Sequence, residues 1–174
     1  MKKLSIVIAS LLVMTLSGNV MADGGSTSAV NANATATIVT PIKITESGTL
    51  DFGKLASSTA AGTAVLTPGN ILDVDGGITE VSTSSTAVPT YTVTGESGAL
   101  YTVTLPGNNV VTLKMTGADD MAVTDFTTSL SGELTSQTLT GGSVTFQVGA
   151  TLNVGISQAA GTYIGTYDVT VAYN

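Results

Sequence analysis

Apolar and polar side chains alternate most strictly in two places in this sequence. Between Val30 and Ile38, the apolar Val30, Ala32, Ala34, Ala36 and Ile38 are separated by Asn31, Asn33, Thr35 and Thr37, the period of an extended strand with one apolar edge. Between Tyr163 and Tyr173, one face carries Tyr163, Gly165, Tyr167, Val169, Val171 and Tyr173, and the other carries Ile164, Thr166, Asp168, Thr170 and Ala172. Shorter patterns fill the interval. A strand is expected over 38–45, with Pro41 placing it at an edge or bulge because proline donates nothing to a ladder. Glu46-Ser47-Gly48 reads as a turn, 50–55 as a segment carrying Phe52-Gly53, and 62–67 as a strand closed by Pro68-Gly69-Asn70. Residues 90–94 and 101–105 repeat Tyr-Thr-Val-Thr around Gly95-Glu96-Ser97-Gly98 and predict a hairpin. Further strands are expected over 110–115, 122–130, 134–139, 143–148 and 150–156, the last two separated by a bend or bulge at Gly149. Many short strands with Gly and Pro turns predict an all-β, immunoglobulin-like β-sandwich.

The amino end breaks this pattern. Lys2 and Lys3 precede an apolar run from Leu4 to Leu16, and small residues follow at Val20-Met21-Ala22, the layout of a secretory signal peptide cleaved after Ala22. The run is shorter than the roughly 20 residues of a membrane span, and no later stretch supplies one, so no membrane span is expected after cleavage. About 150 residues then remain, enough for one domain with a real core. The expected organisation is a signal peptide at 1–22, an N-terminal extension at 23–37 and a β-sandwich domain at 38–174.

Composition narrows the function. Only 10% of residues are charged, and the formal net charge of −7 becomes more negative once Lys2 and Lys3 are removed, which disfavours nucleic acid and anionic membranes as partners. The chain has no Cys and no His. It therefore lacks the disulfide of many exported sandwiches, the commonest general base and the usual transition-metal ligands. No Gly-x-Ser-x-Gly or Ser-x-x-Lys signature arms one of its many hydroxyls. The expectation is a non-enzyme with no cofactor, no metal and no catalytic residue. Asp73-Val74-Asp75-Gly76-Gly77 and Asp119-Asp120 stop short of a calcium loop, with no Glu at the far end, and read as solvated turns.

The C-terminal alternation reaches Asn174 without a polar tail, and an edge strand of that kind calls for a cover. An extended peptide with apolar residues at every second position would serve, and Val30 to Ile38 has that pattern. Reaching back to its own domain, the arm would close a monomer; reaching a neighbour, it would build a fibre, because a head-to-tail contact that does not close repeats.

The ending from Gly161 to Asn174, with a Gly fourteenth from the end and Tyr173 next to last, resembles the C-terminus of chaperone-usher pilus subunits. Phe146 to Leu152, Ile42-Lys43-Ile44 and Leu50-Asp51-Phe52-Gly53 are similar to segments of a pilin-like family of exported bacterial proteins. The resemblance implies an incomplete sandwich completed by donor-strand complementation. A periplasmic chaperone lends the missing strand, and the next subunit's arm replaces it at the outer-membrane usher. Carried onto this chain, Val30, Ala32, Ala34, Ala36 and Ile38 become the donor knobs, and Gly161, Tyr163, Tyr167, Val169, Val171 and Tyr173 belong to the edge strand that chaperone and usher handle. The implied partners are the chain itself, the chaperone and the usher, and the implied destination is a fimbrium at the cell surface, serving adhesion or biofilm formation. The missing disulfide departs from the better-known pilins. The alternative from another class is a complete, stand-alone secreted sandwich acting as an adhesin or as a matrix- or carbohydrate-binding domain.

Overall fold

Thr, Val and Ala dominate the chain between its turns, and nearly all of its regular structure is antiparallel β, 47% strand against 4% helix. The computed structural model describes residues 28–174. The expected signal peptide and residues 23–27 of the expected arm lie outside the described residues. The body begins at Ile38. Residues 28–37 carry no strand and are exposed.

The larger sheet runs in the order β1 (Lys43–Ser47), β4 (Thr90–Thr94), β9 (Ser143–Val154), β2 (Leu55–Leu66), β3 (Leu72–Glu80). β7 (Met121–Thr128) also pairs with β9, and β6 (Val111–Leu113) pairs with β7. The smaller sheet is β10 (Thr170–Tyr173), β5 (Leu100–Thr104), β8 (Gln137–Thr138). Strand β9 organises the fold by changing partners along its length. Ser143–Gln147 pairs with β4, whereas Ala150–Val154 pairs with β2. The change falls at Gly149, which is buried. A Cβ there would overlap the Leu66 carbonyl oxygen and stand 2.7 Å from the Thr67 carbonyl carbon and 2.8 Å from the Pro68 nitrogen, so only glycine lets the two backbones approach.

Two apolar clusters hold the layers together. Phe52, Ala64, Leu66, Ile78, Val111, Met121, Val123, Ala150, Leu152 and Val154 form one; Tyr91, Val93, Tyr101, Val103, Leu139, Phe146 and Val148 form the other. Phe126 and Tyr167 pack against both, with ring centroids 5.1 Å apart. In the second cluster the Tyr101 hydroxyl is buried without a hydrogen-bond partner, and burial raises its pKa.

Several expectations change in detail. The expected hairpin of 90–94 with 101–105 does not form. β4 pairs with β1 and β9, and β5 pairs with β10 and β8, so the repeated Tyr-Thr-Val-Thr motifs belong to different sheets and point their Tyr and Val side chains into the same cluster. Ser143–Val154 is one continuous strand, not two separated by a bend. Asp73 to Gly77 lies within β3 with Asp73 and Asp75 exposed, so the expected turn is a strand whose outer face is acidic. Glu46 and Ser47 belong to β1 instead of a turn, and residues 38–42 precede that strand. Around Phe52 only Asp51 pairs, with Ala87, and the Gly53 N–H donates to Asp51 Oδ1 at 2.8 Å, a turn that sets off β2. At the carboxyl end, the strand is limited to Thr170–Tyr173, with Ile164 bridging Lys114.

Candidate functional site

The last segment keeps the expected phase except at Gly165, which is exposed. Tyr163, Tyr167, Val169, Val171 and Tyr173 are half-buried, while Ile164, Thr166, Asp168, Thr170 and Ala172 are exposed. On β1 and its approach, Ile42 and Ile44 are likewise half-buried between exposed Pro41, Lys43 and Thr45. Apart from Tyr163, these two inner faces pack on the second cluster.

Each strand uses only one of its edges. Among the described residues β1 pairs only with β4, and β10 only with β5. Among the described residues no backbone hydrogen bond joins β1 to the terminal segment. Side chains span the gap at its two ends. At one end the Tyr173 hydroxyl donates to the Thr40 carbonyl at 2.7 Å and accepts from the Glu96 N–H, while the Thr40 N–H donates to Glu96 Oε2 at 3.1 Å. At the other end the Tyr91 hydroxyl donates to Glu46 Oε1 at 2.9 Å and lies 3.1 Å from the Tyr167 hydroxyl. A carboxylate only accepts, so Tyr91 spends its one proton on Glu46 and Tyr167 donates to the Tyr91 oxygen. Burial, then the Tyr167 and Glu46 contacts, push the Tyr91 pKa far up.

Because Thr40 meets Tyr173 and Glu46 meets Tyr167 through Tyr91, the two free edges run in opposite directions. Between them lies a cleft of about 210 Å³ lined by Ile44, Glu46, Tyr91, Tyr167, Asp168 and Val169. The arrangement is a slot with unpaired strand edges on both walls, the side chains of Ile44, Tyr91, Tyr167 and Val169 along it and polar contacts at both ends. Cα atoms of β1 and β10 approach within 8 Å, so a strand paired to both edges, which needs two spacings of about 4.8 Å, requires the walls to part.

The structure brings Tyr167, Val169, Val171 and Tyr173 to this slot and leaves two of the expected residues outside it. Tyr163 packs on the first cluster, where its hydroxyl accepts from Gln158 Nε2 and donates to the Ala159 carbonyl, both at 2.9 Å. Gly161 is exposed beside Met115. Both shape the turn ahead of the terminal segment. Of the arm residues, Val30 is 89% exposed, and Ala32, Ala34 and Ala36 are exposed outside any strand; Ile38, at the start of the body, is 97% exposed. Sequence reasoning missed Ile42, Ile44, Glu46, Tyr91, Glu96 and Thr40 as slot residues. The Ile42-Lys43-Ile44 alternation signalled the first two, but nothing local signals the pairing of Glu46 with Tyr91 across β1 and β4.

A second cleft, of about 350 Å³, lies among Gly117, Ala118, Asp119, Ser157, Gln158 and Ala159. Among the described residues no group of three or more His, Cys, Asp or Glu gathers into a metal site. Asp120 pairs with Lys114 at 3.1 Å on the surface. No helix among the described residues is long and apolar enough to cross a membrane.

Residues 42–173, more than half of the chain, match the family described as "Domain of unknown function (DUF4402)", and the chain belongs to that family. No curated protein matches the chain. No solved structure matches it either.

Proposed function

We propose that this member of the DUF4402 family is a structural subunit of a bacterial surface fibre of the chaperone-usher kind, in which each body receives the N-terminal arm of another copy as its missing strand. The observation that carries this reading is the slot: two unpaired strand edges that flank a half-buried apolar floor. The arm matches it in chemistry and in length. The walls from Thr40 to Glu46 span about 20 Å at the strand rise, and Val30 to Ile38 extends to about 27 Å. Its apolar side chains are mostly alanine, which suits a floor already filled by Tyr91 and Tyr167. Burying two branched side chains and three methyls contributes about 5–8 kcal/mol at most, before backbone pairing and the cost of ordering.

In this reading a periplasmic chaperone covers the slot during export, the outer-membrane usher exchanges it for the next arm, and the product is a fimbrium that supports adhesion or biofilm formation. No catalytic role is assigned to any residue. One observation favours the stand-alone adhesin reading instead: the Tyr173–Thr40 and Tyr167–Tyr91 contacts already tie the two walls together. Self-association separates the two. The fibre reading expects the purified chain to run as a ladder of oligomers that survives mild denaturant, with fibres in negative-stain micrographs of producing cells. A concentration-independent monomer and bare cells would leave the stand-alone domain.

A further inference from the structure

The path of the larger sheet ends in β1 on one side and in β3 on the other. Among the described residues β3 pairs with β2 alone, so its second edge is unpaired along nine residues. An edge of that length is a template for strand addition, and it has apolar side chains to offer. Leu72 and Val74 are half-buried against the first cluster, Ile71 just ahead of them is 67% exposed, and Val65, opposite Asp73 on β2, is 39% exposed. Two identical edges meet by two-fold symmetry, which makes their pairing antiparallel.

The outer face of β3 opposes that contact. Over residues 72–76 its side chains are those of Asp73 and Asp75, both exposed. A register that keeps the two apolar faces on one side sets Asp73 of one copy opposite Asp73 or Asp75 of the other, or Asp75 opposite Asp75. Like charges directly opposite are destabilising. A slip by one residue exchanges the faces, and a carboxylate then stands opposite Leu72 or Val74 at the rim of the other copy's core.

Backbone shape cuts the edge short as well. Ser57 pairs with Ile78 and Gly62 with Gly76, so residues 58–61 of β2 lie opposite Gly77 alone. Gly76 holds left-handed backbone with φ 76°, and a Cβ on Gly77 would overlap the Ala60 carbonyl oxygen. A bulge of this kind bends the strand and sharpens its twist. What remains straight for a partner is the stretch 72–75, and that stretch carries both aspartates. The placement is specific to this edge. At the other end of the sheet β1 carries Lys43, Thr45 and Ser47 on its outer face, opposite Thr94, Thr92 and Thr90, and no carboxylate there. The ion pair found among the described residues joins Lys114 to Asp120, so no lysine neutralises Asp73 or Asp75.

We infer that Asp73 and Asp75, on a β3 edge broken at Gly76, guard this edge against pairing with the β3 of a second copy. The inference is independent of the slot. A fibre subunit so guarded does not merge side by side with its neighbours through β3, and a stand-alone domain so guarded stays single.

The test removes the guards with Asp73→Thr and Asp75→Thr, which exchange two charges for strong strand formers. Asp119→Asn with Glu133→Gln, exposed carboxylates off this edge, removes the same charge as a control. Hydrogen exchange, resolved strand by strand by mass spectrometry over a series of concentrations, reports pairing at β3 whether or not the chain also assembles through its arm. In the guard variant the β3 amides are expected to slow with rising concentration, by at least about tenfold against the parent, because two facing carboxylate pairs are relieved. The β1 amides should behave as in the parent, and the control variant should show neither change. Exchange at β3 equal to the parent's at every concentration overturns the inference. Equal slowing in the control also overturns it, since net charge and not the edge would then be the cause, and so does added protection of β1 together with β3, which marks pairing of unlike edges. Should the threonine pair not fold, Asp73→Asn with Asp75→Asn is read by the same comparison and decides in the same way.

Discussion

Ala32→Asp combined with Ala34→Asp is expected to abolish the oligomer ladder while leaving the body folded. Both positions lie in a segment that is exposed and outside every strand, so the substitutions remove no packing from the subunit that carries them. On assembly, the same side chains would face a floor of Ile44, Tyr91, Tyr167 and Val169. Seating an unpaired carboxylate there costs several kcal/mol, and the nearest ionisable groups lining the cleft, Glu46 and Asp168, are acidic and repel it. At about 1.4 kcal/mol per tenfold, each joint weakens at least about a hundredfold per aspartate. Circular dichroism should be unchanged, and sedimentation should show monomer. Asn31→Asp with Asn33→Asp, on the alternate face, is the matched control and should weaken assembly far less. Equal loss in both pairs would mean that charge on the arm, and not its facing, is what matters.

Gly149→Val is expected to have the largest effect on the fold itself. The position is buried where β9 hands over from β4 to β2, and the atoms in the way of a side chain are backbone atoms of Leu66, Thr67 and Pro68. Backbone cannot move aside as a flexible side chain does, so the strands must part. The cost is about 3 kcal/mol or more, and the damage falls on the segment shared by both apolar clusters. Chemical denaturation should show the midpoint falling well below that of Gly107→Ala, in a loop where the nearest atom to an added Cβ is Val110 Cγ2 at 3.9 Å. A Gly149→Val chain as stable as the parent would show that β9 does not make this close approach.

The alternation at the carboxyl end was legible from sequence because side-chain facing in an extended chain depends only on position parity; Tyr167, Val169, Val171 and Tyr173 face inward as expected even where the segment is not paired as a strand. The all-β class was legible for the same reason. Pairing was not. The two Tyr-Thr-Val-Thr segments have the pattern of a hairpin, yet each finds a better partner elsewhere, β4 between β1 and β9 and β5 between β10 and β8. Alternation states which face is apolar, never which strand lies alongside. Gly149 signalled an irregularity that is in fact a close backbone contact inside a continuous strand, and the two cannot be told apart without knowing what crosses there. The acidic run at Asp73 and Asp75 looked like a turn because of Gly76 and Gly77, whereas Leu72, Val74 and Ile78 carry the strand's inner face. The slot itself depends on contacts between residues far apart in sequence, such as Tyr173 with Thr40 and Tyr91 with Glu46, and no local pattern encodes those.

The chain has no cysteine, which permits a direct test of whether one copy's arm lies in another copy's slot. One preparation carries Ala32→Cys, Ala34→Cys or Ala36→Cys in the arm, a second carries Val169→Cys on the slot floor, and the two are mixed under mild oxidation. An arm from one copy seated in the slot of the other predicts a disulfide between the two kinds of chain for at least one arm position, mapped by mass spectrometry to the arm and the terminal strand. If no mixed disulfide forms at any arm position, and chains carrying both cysteines link only within themselves, the slot is not filled from a neighbour.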